Sequence, residues 1–397
     1  MYENSKVYIA VNGIGLGHAR RSRRIGIALR RAGSRVFFST YKNTPAVYYL
    51  KKSNFPVIEL PELSWAQSDD GGIDPQKTLL KAFYGWGVPL HHLLADYIVM
   101  KKIKPKIVIS DYRAAPVIIS KLLGIPCFML GLYFDLKNVA EGRLLKPAVR
   151  LLGGFLKKLS RWCIKTFLTD LPPPYTIYEK VMPESIPKNF VFTGPIIDSG
   201  LEKMIKNRDL EEVKIDAKRK LRISERKKVF LFIPSGVKKS RLKFIANCLE
   251  IMPELKKIKE AKFIITMAMP ELELKKYCIG DNIEIWNWIP NITNYLLASD
   301  VVIGYYGMNK VFDSLAAGAW FLGLVAKNQI EQKAIAMKIS EMQLGSIISD
   351  FRKDLLKTIK DVLADEEYRK RVIRIAKIIS TYNPIETIVN EIAQYLD

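Results

Sequence analysis

Short apolar runs, each long enough for one buried strand, alternate with helix-like runs along the whole chain. This alternation is typical of parallel sheets whose strands are joined by crossover helices. Each half of the sequence has six such runs, enough for one doubly wound sheet. The predicted strands are Val7–Val11, Arg35–Ser39, Val57–Leu60, Ile107–Ser110, Cys127–Leu130, Val191–Phe192, Val229–Ile233, Phe263–Met267, Ile283–Trp286, Val301–Gly304, Phe321–Val325 and Ser346–Ile348. The sequence therefore predicts an α/β fold with two Rossmann-like doubly wound domains facing a cleft.

The two series of strands are separated after Gly194-Pro195-Ile196-Ile197, where the chain becomes highly charged. We expect an N-terminal domain over residues 1–198 and a C-terminal domain over residues 199–380. The runs Asp361–Ser380 and Ile385–Leu396 are predicted to be amphipathic helices, and residues 381–397 are expected to pack back toward the N-terminal domain. Doubly wound sheets bind ligands at the carboxyl ends of their strands, so functional residues are expected there.

The charge of the chain is strongly positive and unevenly distributed. Its 397 residues carry 63 Lys and Arg against 40 Asp and Glu, a formal net charge of +23. Residues 1–200 hold 29 of the basic residues and 14 of the acidic ones. This excess favours an anionic partner for the first half, such as a membrane surface, a phosphorylated substrate or nucleic acid.

The sequence favours the cytosol. Its four cysteines are scattered and form no C-x-x-C pair, which is not the pattern of a disulfide scaffold. The N-terminal residues lack a basic segment followed by a long apolar one, so no secretory signal is predicted. No window approaches 18 uncharged apolar residues, so no transmembrane helix is predicted.

A glycine-rich turn, Gly13–Gly17, follows the first predicted strand and precedes the helix-like run Arg21–Ala32. Such a turn brings backbone N–H groups and a helix N-terminus to one point, which suits anions and polar substrates. The spacing is G-x-G-x-G-H, which differs from the dinucleotide fingerprint G-x-G-x-x-G. His18 ends the turn and is a candidate general base. The alternative is a tight turn with an incidental histidine.

Asp111 is the candidate partner for this histidine. It ends the predicted strand Ile107–Ser110, so it is expected at the same edge of the sheet as His18. Its carboxylate would orient the imidazole. The alternative is that Asp111 caps the predicted helix Ala114–Leu123.

A second glycine turn, from Gly304 to Gly307, follows a strand in the C-terminal half and opens another helix. Lys310 would lie in the first turn of that helix, where it could neutralise a diphosphate. Asp313 follows one turn later and could hold ribose hydroxyls. The alternative is an ordinary strand-to-helix turn whose helix packs inward.

Taken together, these segments resemble the inverting, nucleoside-diphosphate-sugar glycosyltransferases of the GT-B fold. The likeness is greatest to the bacterial peptidoglycan N-acetylglucosaminyltransferase (lipid II synthase) family and its archaeal and chitobiose-synthase relatives. The segments that carry it are the turn ending in His18, Ile107–Asp111 with Leu123-Gly124-Ile125-Pro126, Phe192–Pro195, Trp286–Pro290, Gly307–Gly318, and Glu331-Gln332 with Leu344-Gly345.

The resemblance implies a role for each matching residue. His18 would be the base, Asp111 its orienting carboxylate, and Gly13, Gly15, Gly17 and Arg20 would bind the acceptor. The residues implied in donor binding are Ser235, Gly236, Trp288, Ile289, Gly307, Met308, Asn309, Lys310, Asp313, Glu331 and Gln332. Three of the motif positions differ from the family pattern: Tyr306 replaces a Gly, Lys310 a Thr, and Asp313 a Glu.

The run Arg143–Phe167 alternates basic and apolar residues and has no acidic residue. Such a helix suits an anionic membrane surface. The residues predicted to meet the membrane are Arg143, Lys146, Arg150, Lys157, Lys158, Arg161, Trp162 and Lys165. The alternative is a solvated helix face. Nucleic acid is the competing partner, but no nucleic-acid-binding module is recognisable.

The resemblance and the charge pattern predict an inverting glycosyltransferase at the cytosolic face of the membrane. It would move a sugar, N-acetylglucosamine or another hexose, from a UDP-sugar to a lipid-linked acceptor. No cofactor and no metal are expected, since no Asp-x-Asp site is found. The alternatives are a UDP-sugar 2-epimerase of the same fold and a non-catalytic nucleotide-sugar or membrane-docking subunit.

Overall fold

The computed structural model of the protein describes residues 4–13, 16–61, 87–131, 145–183, 185–236, 238–269, 272–364 and 366–396. These residues form two units. The first contains the described residues up to Ile196 together with those from Asn383 onward, and the second contains residues from Ile197 to Tyr382.

The first unit is built on a seven-stranded parallel sheet with the strand order β3-β2-β1-β4-β5-β6-β7. Its strands are β1 (Lys6–Val11), β2 (Arg35–Tyr41), β3 (Val57–Leu60), β4 (Ile107–Asp111), β5 (Cys127–Leu130), β6 (Lys165–Leu168) and β7 (Phe190–Phe192). Its helices are α1 (Leu16–Arg31), α2 (Pro45–Lys51), α3 (Gly87–Ile103), α4 (Ala114–Leu123), α5 (Leu145–Trp162) and, at the end of the chain, α15 (Pro384–Ala393).

Alternate residues of the central strand β1 face two different cores, because successive side chains of a strand point to opposite faces. Val7, Ile9 and Val11 are fully buried among α1, α2 and α15. Tyr8 and Ala10 face the other core, which α3, α4 and α5 cover. The first sheet is therefore covered by helices on both faces.

The second unit has a second seven-stranded sheet, with the order β10-β11-β9-β8-β12-β13-β14. Its strands are β8 (Lys228–Ile233), β9 (Ala261–Thr266), β10 (Lys276–Ile279), β11 (Ile283–Trp286), β12 (Val301–Tyr305), β13 (Trp320–Leu324) and β14 (Gly345–Ile347). All pair in parallel except β10, which lies antiparallel to β11 at the edge.

Nine helices are described in this unit. They are α6 (Ser199–Ile205), α7 (Leu210–Lys220), α8 (Lys238–Glu250), α9 (Met252–Lys257), α10 (Thr293–Ala298), α11 (Met308–Ala316), α12 (Ile330–Glu341), α13 (Phe351–Ala364) and α14 (Glu367–Ser380).

The α/β fold and all twelve predicted strands are confirmed, but two predicted helices are wrong and two strands, β6 and β10, were not predicted. The predicted helix from Arg143 to Phe167 stops at Trp162, and Lys165–Leu168 is strand β6, because Phe167 is buried between neighbouring strands. The edge strand β10, with mostly exposed residues, was not predicted. The run Asp361–Ser380 is divided between α13 and α14, each of which buries its own apolar stripe.

Both sheets reverse their strand order next to their first strand. In the first sheet the reversal lies between β1 and β4, and in the second between β8 and β12. The loops leaving these neighbouring strands turn to opposite faces of the sheet, which opens a crevice at the carboxyl edge. The two glycine turns predicted to be functional follow β1 and β12, so each lies at one of these points.

Candidate active site

His18 and Asp111 meet at the reversal point of the first sheet. Asp111 is the last residue of β4 and pairs in register with Val11 at the end of β1. Helix α1 begins at Leu16, which puts His18 in its first turn. The two side chains are therefore brought together by neighbouring strands, as the sequence predicted.

The contact between them fixes the orientation of the imidazole. His18 Nδ1 lies 2.7 Å from Asp111 Oδ1. Because a carboxylate only accepts hydrogen bonds, and this one lies closer to Nδ1 than Arg21 Nη2 does at 3.0 Å, we assign the proton to Nδ1, which donates to Asp111. The other ring nitrogen, Nε2, then carries the lone pair, and the His18 side chain keeps 24% of its surface exposed while Asp111 is fully buried.

Two residues that the sequence interpretation missed complete this cluster. Arg21 Nε donates to Asp111 Oδ2 over 2.9 Å, and its Nη2 forms an ion pair with Oδ1. Ser22 donates its hydroxyl proton to Oδ2 over 2.7 Å. Arg21 follows His18 by three residues, a spacing that puts both on one face of a helix, so the sequence did contain a signal for it.

These neighbours keep Asp111 ionised. Burial alone would raise the pKa of its carboxyl group, but the charge of Arg21 and the hydrogen bonds from Arg21 and His18 outweigh burial and hold the pKa well below its usual range. Asp111 does not cap the following helix, whose N-cap residue is Arg113. The capping alternative is therefore wrong, and Asp111 is left to orient His18 and Arg21.

The other residues implied in acceptor binding lie around the same turn. Gly13 is buried, and a Cβ there would lie 2.7 Å from the Thr40 hydroxyl, so the turn needs glycine at this position. Gly17 and Arg20 are half-buried in the first turns of α1. Gly15 lies outside the described residues.

The reversal point of the second sheet is formed by the ends of β8 and β12. Gly304 of β12 pairs with Ile233, the last residue of β8. Gly236 follows in the left-handed region at φ 85°, a conformation that favours glycine. Gly307 precedes the first residue of α11, and a Cβ at this position would meet nothing within 4 Å.

Lys310 lies in the first turn of α11, as predicted, but points to a backbone group. Its Nζ donates to the Ile233 carbonyl oxygen over 2.6 Å. Burial lowers the pKa of Lys310 to about 7. Asp313, one turn later, is buried, and its Oδ1 accepts the backbone N–H of Asp198 over 2.7 Å.

Tyr306, which replaces a glycine of the family motif, is buried away from the turn. Its ring packs on Phe321 with the ring centroids 5.0 Å apart, and its hydroxyl donates to the Ser346 carbonyl over 2.9 Å. A Cβ at Gly323 would overlap the Tyr306 ring, so the absence of a side chain at 323 makes room for it. Gly323 on the neighbouring strand thus provides the space for the tyrosine that replaces glycine at position 306.

The remaining residues implied in donor binding lie in four segments of this unit. Ser235 follows β8, Met308 and Asn309 open α11, and Trp288 and Ile289 lie between β11 and α10. Glu331 and Gln332 are half-buried in the first turn of α12, and Gln332 Oε1 accepts the Ala326 N–H over 2.8 Å. Among the residues the structure describes, no group of three or more His, Cys, Asp and Glu could hold a metal.

Only part of the predicted membrane segment lies in the described region. Lys157, Lys158 and Arg161 are exposed on α5, and Lys158 lies over the Trp162 ring, 5.6 Å from its centroid. Lys165 was predicted on the basic helix, which is wrong. It lies on β6, and its Nζ is 3.7 Å from Glu391 Oε2 of α15. Arg143 lies outside the described residues, as do the side chains of Lys146 and Arg150. No helix in the described ranges is long and apolar enough to cross a membrane.

Comparisons with known proteins extend over the whole chain. Residues 5–140 match the model of a family described as Glycosyl transferase family 1. An uncharacterized glycosyltransferase of Methanosarcina mazei is 24% identical over 388 residues, 94% of each chain. One from Methanosarcina acetivorans is 22% identical over 397 residues, 96% of each chain.

Solved glycosyltransferase structures share the fold along their full length. The glycotransferase of kitacinnamycin has a TM-score of 0.68 at 14% identity and covers 99% of this chain and 100% of its own. CalG4, the calicheamicin glycosyltransferase, has a TM-score of 0.67 at 16% identity, with 99% and 98% covered. Acinetobacter baumannii MurG has a TM-score of 0.58 at 13% identity, with 98% and 99% covered. With the two doubly wound sheets, these comparisons show that the chain has the GT-B fold of these glycosyltransferases, and that it resembles them along its length.

Proposed function

We propose that the protein is an inverting glycosyltransferase that moves a sugar from a UDP-sugar to a lipid-linked acceptor at the cytosolic face of the membrane. The observation that carries this proposal is the 2.7 Å contact between His18 Nδ1 and the buried carboxylate of Asp111. It leaves Nε2 of a partly exposed histidine as a proton acceptor at the reversal point of the first sheet. A general base belongs at such a point in an enzyme that must activate an acceptor hydroxyl.

The reaction assigns one role to each sheet edge. His18 Nε2 takes the proton of the acceptor hydroxyl as its oxygen forms a bond to the anomeric carbon. The bond between that carbon and the diphosphate oxygen breaks, and the electron pair leaves with UDP. Attack opposite the leaving group inverts the anomeric configuration.

The second sheet edge supplies the positive charge for the leaving group. The first turn of α11 offers backbone N–H groups and the positive end of a helix dipole, and Lys310 lies in that turn. Preorganised positive groups of this kind stabilise charge that develops in the transition state. We therefore propose a reaction that needs no metal, with the donor held by α11 and the loop at Ser235 and Gly236.

The lipid-linked acceptor is supported by the surface that covers one face of the first sheet. Helices α3, α4 and α5 form this layer, and Asp96 is their one acidic residue, buried in an ion pair with Arg113. The solvent side is both apolar and basic. Its exposed apolar residues are Leu90, Leu94 and Ile98 on α3, Leu122 on α4 and Phe155 on α5, and its exposed cations include Lys101, Lys102, Lys121, Lys157, Lys158 and Arg161. Anionic membranes bind surfaces that combine these two features.

Labelled UDP-sugars and a lipid extract of the source organism test the reaction. We expect label in the lipid fraction, no loss of transfer with EDTA, and a higher melting temperature with UDP but none with NAD. A ligand at 100 times its Kd adds about 2.7 kcal/mol of stability. An altered UDP-sugar without an acceptor would instead indicate an epimerase. No UDP-sugar turnover together with no melting shift would contradict the proposal.

Vesicle sedimentation tests the membrane surface separately. Replacing Lys157, Lys158 and Arg161 with Glu should release the protein from anionic vesicles, since each basic residue near such a surface contributes about 1 kcal/mol. The matched control replaces Lys256, Lys257 and Lys259, which are exposed in the second unit. Equal sedimentation of both triple variants would show that α5 is a solvated face and that the acceptor is not reached through it.

A further inference from the structure

The side chain of Lys310 fits beside Gly304, where a larger residue would not leave room for its amine. Its Nζ meets the Ile233 carbonyl oxygen at 2.6 Å, next to Gly304 on the adjacent strand. A Cβ at position 304 would lie 2.7 Å from Nζ and 2.5 Å from the Ile233 oxygen. A side chain at 304 would clash with the Ile233 oxygen and displace the amine from it, so Gly304 leaves room for the Lys310 head group at the end of β8.

Among the residues that the structure describes, no carboxylate offsets the charge of this head group. Burial is the cause that lowers its pKa to about 7, with no charged side chain contributing. The titratable residues closest along the chain to Lys310 and to its strand end are Asp313 on α11 and Tyr305 and Tyr306 at the end of β12; the first turn of α8 adds Lys238, Lys239 and Arg241, which are all basic. Asp313 is bound to the Asp198 N–H, and the Tyr306 hydroxyl is bound to Ser346.

Lys214, a buried lysine of the same unit, shows what a structural lysine looks like here, whereas Lys310 is half-buried. Lys214 Nζ donates to three carbonyl oxygens, those of Ser299 at 2.5 Å, Ala317 at 3.1 Å and Gly318 at 3.4 Å. The charge of Asp300 also partly offsets the cost of its burial. Lys310 has one acceptor within the described part of the chain and no such charge, so its ammonium form lacks a partner that Lys214 has.

We propose that Lys310 binds the donor diphosphate as an ammonium and returns to the Ile233 carbonyl when UDP leaves, so that donor binding is coupled to the uptake of a proton. This inference rests on the proposed function of the second sheet edge. Above pH 7 the free protein holds Lys310 as a neutral amine that still donates to Ile233. An incoming diphosphate supplies the missing negative charge, and the amine takes a proton from solvent.

The coupling also favours the reaction. Breaking the sugar–phosphate bond leaves more negative charge on the diphosphate of UDP than the UDP-sugar carried, so an ammonium stabilises the leaving group more than the substrate. This proton is distinct from the one that His18 takes from the acceptor. It enters when the diphosphate binds and returns to solvent when UDP is released.

Calorimetry of UDP binding at pH 8.5, in buffers that differ in ionisation enthalpy, counts the protons directly. UDP is fully ionised at this pH, since the second pKa of a phosphate is about 6. The wild-type protein should take up close to one proton, and its affinity for UDP should fall about tenfold per pH unit above pH 8. Uridine, which lacks the diphosphate, should bind without proton uptake.

Two variants separate Lys310 from the rest of the site. K310R keeps a permanent charge, so UDP should bind it with no proton uptake and no pH dependence, while K310M should bind UDP weakly at every pH. The control K360M removes an exposed lysine of α13 and should behave as wild type. UDP binding without proton uptake by the wild type would overturn the inference and leave the proposed function standing. Absence of UDP binding at any pH would overturn both.

Discussion

At the carboxyl edge of the first sheet three polar side chains converge on one carboxylate, whereas at that of the second sheet one lysine meets one carbonyl oxygen. Asp111 is bound by His18, Arg21 and Ser22. Lys310 Nζ donates to the Ile233 carbonyl oxygen. Both edges lie at the reversal of the same strand order, so the topology is shared and the arrangement of charge differs.

The difference suits two different roles. His18 would have to be oriented before the substrate arrives, whereas Lys310 would gain a charged partner only from a ligand. A general base needs a fixed ring and a fixed tautomer before the substrate arrives, and the charge balance around Asp111 provides both. A binding group for an anion gains most when its charge has no partner of its own. The first edge is electrostatically complete, and under the proposed function a diphosphate would complete the second.

Removing Arg21 should have the largest effect on stability. R21M leaves the buried Asp111 carboxylate without its main counter-charge, and breaking a buried pair in this way typically costs about 3–5 kcal/mol. Chemical denaturation measures the loss. The matched variant R31M removes an exposed arginine at the end of the same helix and should change stability little. If the two variants have the same free energy of unfolding, Arg21 does not balance the charge of Asp111.

Filling the space beside Tyr306 should have an intermediate effect. G323A places a methyl group against the Tyr306 ring, and overpacking of a core costs about 1–3 kcal/mol. Its control is G154A on α5, where an added Cβ meets nothing within 4 Å and alanine favours the helix. A G323A protein as stable as wild type would show that Tyr306 can leave its buried position and approach the turn.

Folding lowers the pKa of one group at each edge, but the lowered pKa stabilises the folded protein at Asp111 and destabilises it at Lys310. The pKa of Asp111 is lowered by folding, so its stabilisation is present at neutral pH and is lost only as the pH falls below about 4. The pKa of Lys310 is also lowered, and the unfolded chain then binds the extra proton between pH 7 and about 10.4.

Stability should therefore rise with pH across that alkaline window, at no more than about 1.4 kcal/mol per pH unit for one proton. Denaturation of wild type and K310M at pH 7.5 and 9.5 isolates the contribution of Lys310. The slope should be smaller in K310M, and equal slopes would mean that Lys310 is charged in the free protein.

Local patterns predicted the fold well because most elements are locally consistent. The twelve apolar runs became strands, and the helix Ala114–Leu123 was predicted with the observed bounds. Strand β6 was missed because its basic and apolar residues continue the helical spacing of α5. What makes it a strand is pairing with β5 and β7, which no local pattern contains.

The site was predicted in part for the same reason. His18 and Asp111 follow predicted strands, so their meeting could be predicted from topology. The bond of Asp313 to the Asp198 N–H, and the matching of Tyr306 by Gly323, join residues distant in sequence. Such pairs are set by packing, and the sequence alone did not indicate them.

The most direct test of the account measures UDP binding and sugar transfer in parallel on H18A. Loss of a general base should reduce transfer by about 100- to 10,000-fold, while UDP should bind with the wild-type affinity because the proposed donor groups lie on the second sheet. H91A, which removes an exposed histidine of α3, should match wild type in both measurements. Wild-type transfer by H18A would contradict the assignment of His18 as the base on which the account rests.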